Sequence, residues 1–378
     1  MFFSDLQLSW FRNYESLSLQ FVDGINCLTG NNGAGKTNVL EAVHYLALTR
    51  GWARSTEKYS IQEHAPYFMI EGQLQNGEER SLHIQCNYMP SKGKKMLLDK
   101  KPLARLSEHI GRIPLVTVLP NDTQLIHGSP SVRRKFMDGF ISQYSPDYLR
   151  QLIRYDHALS QRNALLALFA ERGGWDAEQL ALWNEQLAAS GCFILNARRE
   201  FIKAYTPIFE SYFHQIVSKK ETPTLELKTQ FGENSLAEWE QLLQASRDRD
   251  RLAHRTTVGT HKDDLVFQID GQGVKNFGSQ GQQKTFVIAL KLAQYEILAS
   301  RSSAAPVLLL DDIFDKLDMH RLQAIAGILD QQVAGQVFVT DTSPERTQIV
   351  FNAVKTRKVK YFRVDAGLIA EGPVTEGA

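Results

Sequence analysis

Several features that would point to an oxidising or membrane setting are scarce in this sequence of 378 residues. Its three cysteines, Cys27, Cys86 and Cys192, stand far apart in apolar segments. That spacing offers neither a disulfide framework nor a metal-binding pair, and it predicts reduced core thiols. No apolar run approaches the roughly 20 residues that span a bilayer. The opening Met1-Phe2-Phe3-Ser4-Asp5-Leu6 lacks a charged leader and a cleavage site, so no signal peptide, no membrane partner and a cytoplasmic location are expected. An excess of one charge is missing as well. Lys and Arg number 43 against 42 Asp and Glu, a formal net charge of +1, so any surface for a polyanion must be local. Internal repeats and low-complexity segments are absent. What remains, 43% hydrophobic and 22% charged residues, is the composition of a globular protein. The length suggests two domains, or one large domain carrying an insertion.

The strongest signal is Gly30-Asn31-Asn32-Gly33-Ala34-Gly35-Lys36-Thr37, followed by Asn38. It matches the phosphate-cradling pattern of two glycines, four intervening residues, then Lys and Thr. Glycines let the backbone curl so that several N–H groups face one anion. Lys36 would place a charge on the β/γ-phosphates, and the Thr37 hydroxyl would coordinate Mg²⁺. Ile25–Thr29 reads as a buried strand, and Thr37–Leu46 has apolar residues at helical spacing. The phosphate then lies at a helix N-terminus, where unpaired donors and the helix dipole favour anions. A chance glycine-rich turn would not need the strand before it and the helix after it.

Around this loop the chain reads in order. Asp5–Trp10 and Ser16–Phe21 alternate as a hairpin, and Tyr67–Leu74, Ser81–Tyr88 and Lys95–Leu98 continue an antiparallel block, with Asn76-Gly77 as a turn. Ile113–Leu119 suits a central strand. Helical patterns follow over Pro146–Ala170 and Asp176–Val217, with a hairpin at Gly173-Gly174 and a kink at Pro207. This arm is expected to be an insertion, giving boundaries at 1–130, 131–255 and 256–378. Later come the strand Leu265–Ile269, the helix Lys284–Ala299, the strand ending in Asp311-Asp312, the helix Met319–Gln331 and the strand Gln336–Thr340. The tail from Lys358 alternates briefly and fades into Gly/Pro-rich residues that are expected to be mobile.

Leu308-Leu309-Leu310 before Asp311-Asp312 fits a parallel strand ending at the sheet edge that holds the phosphate. Asp311 is placed to hold the metal and Asp312 to polarise the attacking water. A strand cap before a turn is the alternative for these two acids. The turn Gly278-Ser279-Gln280-Gly281-Gln282-Gln283, opening a strong helix, discriminates further. A single-chain kinase has no use for a second such helix end, whereas an ABC-type ATPase aims it at the γ-phosphate of a partner subunit. An ordinary serine N-cap is the alternative here. An ATP-switched two-subunit ATPase, a small-molecule phosphotransferase and a head whose ATP merely holds a dimer therefore all stay open.

At this point the chain resembles the RecF family of bacterial recombination-repair ATPases, related to the heads of structural-maintenance-of-chromosomes (SMC) proteins. The likeness rests on Thr29–Asn38, on Leu119-Pro120-Asn121-Asp122 through Gly128–Arg134, on Gly259–Asp264, on Ser279–Lys284 and on Leu308–Asp312, in family order. It implies an α/β fold: an ABC-type P-loop head, with a mixed central sheet and an antiparallel β block, carrying an inserted helical arm. It implies ATP and Mg²⁺ as ligands, an ATP-dependent homodimer, and binding to double-stranded DNA and single-strand/double-strand junctions. It also implies work with RecR and RecO in recombinase loading at gaps, as part of DNA repair, replication, recombination and the SOS response. The same resemblance gives Gln124 the Mg²⁺-linked glutamine role, Ser279, Gly281 and Gln282 the role in the partner's site, Asp311 the metal and Asp312 the catalytic acid. Lys316-Leu317-Asp318 departs from the family's Glu-Leu-Asp. Wider ABC ATPases have Glu at the position of Asp312 and a His after the strand that here ends Thr340-Asp341-Thr342. Both differences point to slow hydrolysis, a switch more than a motor. For DNA, the basic candidates are the Lys92–Arg105 loop and Arg133-Arg134-Lys135, while Arg50–Arg54 matches the family only loosely.

Overall fold

The structure, a computed structural model, describes residues 1–52, 57–76, 80–172, 174–217, 221–314, 317–352 and 354–375. The expectations for Arg54, Gly77, Gly173 and Lys316 fall outside the described residues.

The chain begins β1 (Phe2–Phe11), β2 (Tyr14–Gln20), β3 (Ile25–Thr29), α1 (Lys36–Leu48), β4 (Phe68–Asn76), β5 (Arg80–Met89), β6 (Gly93–Leu98), β7 (Lys101–Pro102) and β8 (Leu115–Val118). It continues with α2 (Gln124–His127), α3 (Pro130–Tyr144), α4 (Pro146–Arg172), α5 (Ala177–Ile216), β9 (Pro223–Lys228), α6 (Leu236–Ala245), α7 (Arg247–Ala253), β10 (Asp264–Ile269), β11 (Gln272–Gly273) and α8 (Val274–Phe277). The last part runs α9 (Gln280–Arg301), β12 (Val307–Asp311), α10 (Met319–Gln331), β13 (Val337–Asp341), α11 (Pro344–Phe351), β14 (Val359–Asp365) and β15 (Leu368–Thr375).

Two compact units emerge. The first comprises Met1–Asp122, Tyr212–Ser218 and Thr285–Ala378. Its central sheet has the order β15-β14-β3-β13-β12-β8. All neighbours in it are parallel except the antiparallel β14–β15 pair. β3, β12 and β13 are buried at every residue, which is why Ile-Asn-Cys-Leu-Thr, Val-Leu-Leu-Leu-Asp and Val-Phe-Val-Thr-Asp read as runs without alternation. β8 lies at one end of this sheet, not in its middle as Ile113–Leu119 suggested. Among the described residues no strand pairs with its outer edge, yet three of its four residues are still buried.

A second, antiparallel sheet has the order β2-β1-β4-β5-β6-β7. Helix α1 is buried on nearly every side, with Val39, Leu40, Val43 and Leu46 sharing one core with Phe3 and Ile70 of the antiparallel sheet and Leu309 and Phe338 of the central sheet. One buried side chain stitches the sheets together. Gln336 accepts from Phe3 N at 2.9 Å and donates to Phe3 O at 2.9 Å and Val22 O at 3.0 Å. The tail is no loose end: β14 pairs with β3 in parallel and β15 closes on it. The alternating Val359, Phe362 and Val364 bury their side chains in the same unit, which outweighs the Gly/Pro content beyond.

The second unit comprises Thr123–Ser211 and Lys219–Lys284. It differs from the expected insertion at 131–255. The reason is pairing: β9 lies antiparallel beside β10 from Pro223↔Ile269 to Lys228↔Asp264, and β11 follows on the other edge of β10. A three-stranded sheet thus binds residues 264–273 to the helices, and the arm is α+β, not helical alone. Helix α5 runs unbroken through Pro207. Polar cement holds the unit. Buried Arg198 pairs with Asp138 and with Asp263, both at 2.8 Å, and buried Arg162 pairs with Asp250 at 2.7 Å. Burial alone would favour a neutral Arg198, but Asp138, Tyr148 and Asp263 hold its proton more firmly than usual.

Candidate nucleotide site

The loop Gly30–Gly35 joins β3 to α1, and its glycines explain themselves sterically. Gly30 (φ 154°) has no room for a side chain: a Cβ there would sit 2.0 Å from the Val364 carbonyl oxygen of β14. Gly35 (φ 118°) would place one 2.5 Å from the Tyr14 hydroxyl. Gly33 (φ 79°) faces open space, and Asn31, Asn32 and Gly33 are exposed. The cradle is closed from below and open above. Lys36 and Thr37 begin α1, where backbone amides have no intrahelical acceptor.

The Lys36 ammonium donates to Gly30 O at 2.7 Å and Asn31 O at 2.8 Å, folding the side chain over the loop. Burial lowers its proton affinity, and the charges of Asp312, Asp311 and Asp341 act against that. Across from the ammonium, the Thr37 hydroxyl donates to Asp311 Oδ1 at 2.9 Å. The Thr340 hydroxyl donates to the same oxygen at 2.7 Å while accepting from Asp312 N at 3.0 Å. Burial raises the Asp311 carboxyl above its usual range, and the two threonine hydrogen bonds oppose this. Asp312 itself sits in the left-handed region at φ 47°, turning the chain sharply off the end of β12.

A hairpin tip grips this loop, and no sequence motif announced it. Asn13 donates to Ala34 O at 3.2 Å and accepts from Asn38 Nδ2 at 2.7 Å. Gly367 N, in the β14–β15 turn, reaches the same Ala34 carbonyl at 3.1 Å. Beside it Arg12 (φ 58°) clamps Glu41 of α1 through Nε at 3.0 Å and Nη2 at 2.9 Å. Asp341, fully buried at the end of β13, is capped by Ser343 N at 2.8 Å and by Arg346 Nε at 2.9 Å. These residues come from β1–β2 and from beyond β13, so only the paired sheets bring them to the loop.

The first unit therefore assembles Gly30–Asn38, Asp311 and Asp312. Gln124, Ser279, Gly281 and Gln282 belong to the second unit. There Ser279 and Gln282 form a reciprocal cap: Ser279 N donates to Gln282 Oε1 at 2.8 Å, and Gln282 N donates to Ser279 Oγ at 3.2 Å. Gln282 also donates to Glu221 Oε1 at 3.0 Å. Ser279 and Gln124 are exposed and Gly281 is half-buried. Within one chain this turn does the work of a helix cap.

The basic candidates divide. Arg133 is buried, forked onto Asp264 at 2.6 and 3.0 Å, and donates to the Leu125 and Gly128 carbonyls. It is spent on the fold, which corrects its proposal as a DNA contact. Lys94 is paired with Glu57 at 2.5 Å. Lys92, Lys95, Lys100, Lys101, Arg105 and Lys135 are exposed, and so is Arg50. Trp52 is half-buried with its ring edge-on to His44, not free on the surface. Cys27, Cys86 and Cys192 are free thiols, and among the described residues no group of acids, His and Cys could by itself hold a metal. No helix among the described residues is long and apolar enough to cross a membrane.

Known proteins share this plan. The RecF/RecN/SMC N-terminal domain profile matches residues 2–363. The chain is 39% identical over 377 residues to the DNA replication and repair protein RecF of Cytophaga hutchinsonii, spanning 100% of this chain and 98% of that protein. It is 40% identical to that of Flavobacterium johnsoniae, over 95% of this chain and 99% of the relative. A solved structure of the recombination mediator protein RecF-ATP in the RecFOR pathway superposes with a TM-score of 0.87 at 27% identity, over 98% of both chains. An Smc head bound to the C-winged helix domain of ScpA superposes at 0.57 with 15% identity, over 100% of this chain and 98% of that one, a likeness of fold.

Proposed function

The chain belongs to the RecF family, with an ABC-type ATPase head fold, and from that premise we propose that it is an ATP-switched DNA-binding protein of recombinational repair. The observation that carries the reading is the convergence of Thr37 and Thr340 on one oxygen of Asp311, beside an ammonium folded over an open loop. The donor set fits a nucleoside triphosphate with its magnesium ion. Gly30–Asn38 would cradle the phosphates through backbone amides and Lys36, and Thr37 and Asp311, with Gln124, would hold the metal. Bound Mg²⁺ supplies charge neutralisation at the phosphates.

The chain's own groups do the rest. Thr340 holds Asp311 in orientation and anchors the turn that presents Asp312. Asp312 would orient the attacking water and accept its proton. A carboxylate one methylene shorter than Glu reaches less far, which favours slow turnover and a switch. Ser279, Gly281 and Gln282 would complete the site of a second copy, so ATP would hold two chains together and hydrolysis would part them. The dimer would bind duplex DNA near single-strand gaps, acting with RecR and RecO to admit recombinase.

Fluorescence anisotropy of a labelled duplex tests this, with ATP, ADP or no nucleotide. Binding is expected to be tightest with ATP and Mg²⁺ and nearly blind to sequence, since the described residues form no base-reading module. Its log K should fall by roughly 0.9 per log salt for each phosphate neutralised. Equal affinity in all three nucleotide states would remove the switch. A phosphorylated small-molecule product would replace it with a phosphotransferase.

The Asn13 contacts give a sharper test of the cradle. Asn13→Ala removes two side-chain hydrogen bonds, each contributing about 1 kcal/mol. The apparent affinity for ATP is expected to weaken up to tenfold or so, with kcat nearly unchanged, because Asn13 shapes the loop and touches no reacting group. Steady-state ATPase kinetics separate the two, and a fall confined to kcat would contradict it.

A further inference from the structure

The motif Gly259–Asp264 is not used by the nucleotide site, and it organises a cluster of positive charge in the second unit. His261 is the pivot. Its Nδ1 meets the Tyr155 hydroxyl at 2.7 Å and its Nε2 meets the Thr256 carbonyl at 3.1 Å. Burial pushes the imidazole down to about 4, so it stays neutral and serves as a structural bridge. That bridge draws Thr256 onto His261 and so brings their chain neighbours Arg255 and Lys262 to one place. From α3, Arg134 Nη1 donates to the Asp263 carbonyl at 2.7 Å and joins them. Lys262 feels the result: burial chiefly, then the charges of Arg255 and Arg134, make its proton easier to lose.

Most acids in this neighbourhood are committed inward, the exception being Asp156, exposed on α4 beside Tyr155. Asp263 is held by Arg198, and Asp264 by Arg133. Asp138 is held by Arg198, and Asp250 by Arg162 and the Thr257 hydroxyl. Arg255 and Lys262 are exposed and, among the described residues, their side chains form no ion pair or hydrogen bond. Lys135, next to Arg134, is exposed too. A fold that spends buried arginines on Asp138, Asp250, Asp263 and Asp264 leaves Arg255 and Lys262 as unpaired cations outside. Such a patch lowers its own repulsion when a polyanion covers it.

We propose that Arg134, Arg255 and Lys262 form a binding surface for the phosphate backbone of duplex DNA. The proposal rests on the DNA-binding reading above and assigns it a surface. Duplex DNA carries about one charge per 1.7 Å of axis, so a local cluster of cations is attracted to it. Arginine forks suit phosphate oxygens, and no base-reading element accompanies them. An acidic protein segment is the competing occupant, and it would also use an apolar anchor. Leu252, 83% exposed in the neighbouring helix α7, is the candidate anchor and so the control.

The test compares wild type, the double variant Arg255→Ala/Lys262→Ala and Leu252→Ala in the full-length protein with ATP and Mg²⁺. The probe is a labelled blunt duplex of arbitrary sequence, titrated across a series of salt concentrations. The double variant is expected to bind at least about tenfold more weakly, with the log K against log salt slope shallower by roughly two. Leu252→Ala is expected to bind like wild type. Unchanged ATP affinity and melting temperature in the double variant show that the fold and the nucleotide site persist. If wild type binds and the double variant matches it in affinity and slope, this surface is wrong while the DNA-binding reading stands. If Leu252→Ala alone lowers affinity as much as the double variant, the patch is an apolar docking site and the phosphate assignment falls. If wild type does not bind the duplex under any nucleotide condition, the reading and the surface fall together.

Discussion

Lys36→Met is expected to lower ATP affinity by roughly thirtyfold to several thousandfold and to abolish measurable hydrolysis. Among the described residues the Lys36 ammonium is the cation folded over the loop, within reach of both the Gly30 and Asn31 carbonyls. Bound phosphates would exchange those carbonyl contacts for charge-assisted ones. Truncating one member of a buried charged pair costs about 2–5 kcal/mol, which sets the range. Folding should survive, because Met keeps most of the apolar stem and the lost hydrogen bonds are to carbonyls at the mouth of an open cradle. The loop itself stays pinned by Asn13 and Gly367 on Ala34. Isothermal titration with ATP, set beside a thermal melt, measures both parts. Wild-type affinity in a normally folded variant would remove Lys36 from the phosphate site.

Two further substitutions are expected to drive assembly in opposite directions. Ser279→Arg places a bulky cation at the N-terminus of α9, in the space proposed for a partner's γ-phosphate. ATP binding through Lys36 should remain, while ATP-driven dimerisation and hydrolysis are lost. The substitution also removes the Ser279–Gln282 cap, a cost of about 1 kcal/mol to a helix of 22 residues. Ser279→Gly is the companion variant: it forfeits the hydroxyl but adds no bulk, so a dimerisation defect confined to Arg reports the blocked site and not the lost cap.

Asp312→Asn should do the reverse. The metal stays with Asp311, the proton acceptor is gone, and uncleaved ATP accumulates a dimer. The left-handed backbone at Asp312 favours this test, because Asn occupies that conformation at least as readily as Asp. Light scattering with ATP and Mg²⁺ then separates monomer from trapped dimer. Equal masses for Ser279→Arg and Asp312→Asn would defeat the two-subunit site.

How much of this was legible before the structure depends on range. Gly30–Thr37 and Leu308–Asp312 declare themselves because each is local: a glycine-rich turn between strand and helix, and an apolar run ended by acids. Their meeting was inferred from chemistry, and the 2.9 Å contact of Thr37 with Asp311 shows it in the fold. The end of the tail misled because its Gly/Pro-rich residues look loose, and β15 becomes ordered only by pairing with β14. The boundary near 255 misled in the same way. Nothing within residues 264–269 announces that their partner is Pro223–Lys228.

The sequence by itself determined the chemistry: which side chains can cradle phosphate, hold a metal or cap a helix, since these follow from residue type and short spacing. The tertiary structure alone decided the allocation of charge. Arg133 and Arg134 are neighbours of the same type, yet one is buried on Asp264 and the other is half-buried on the Asp263 carbonyl, beside Lys262. Asn13 likewise has no signature, being an amide in a hairpin until pairing of β1 with β2 and β4 carries its tip against Ala34. Long-range pairing sets which polar group meets which, and a buried charge must find its partner there or not be buried at all.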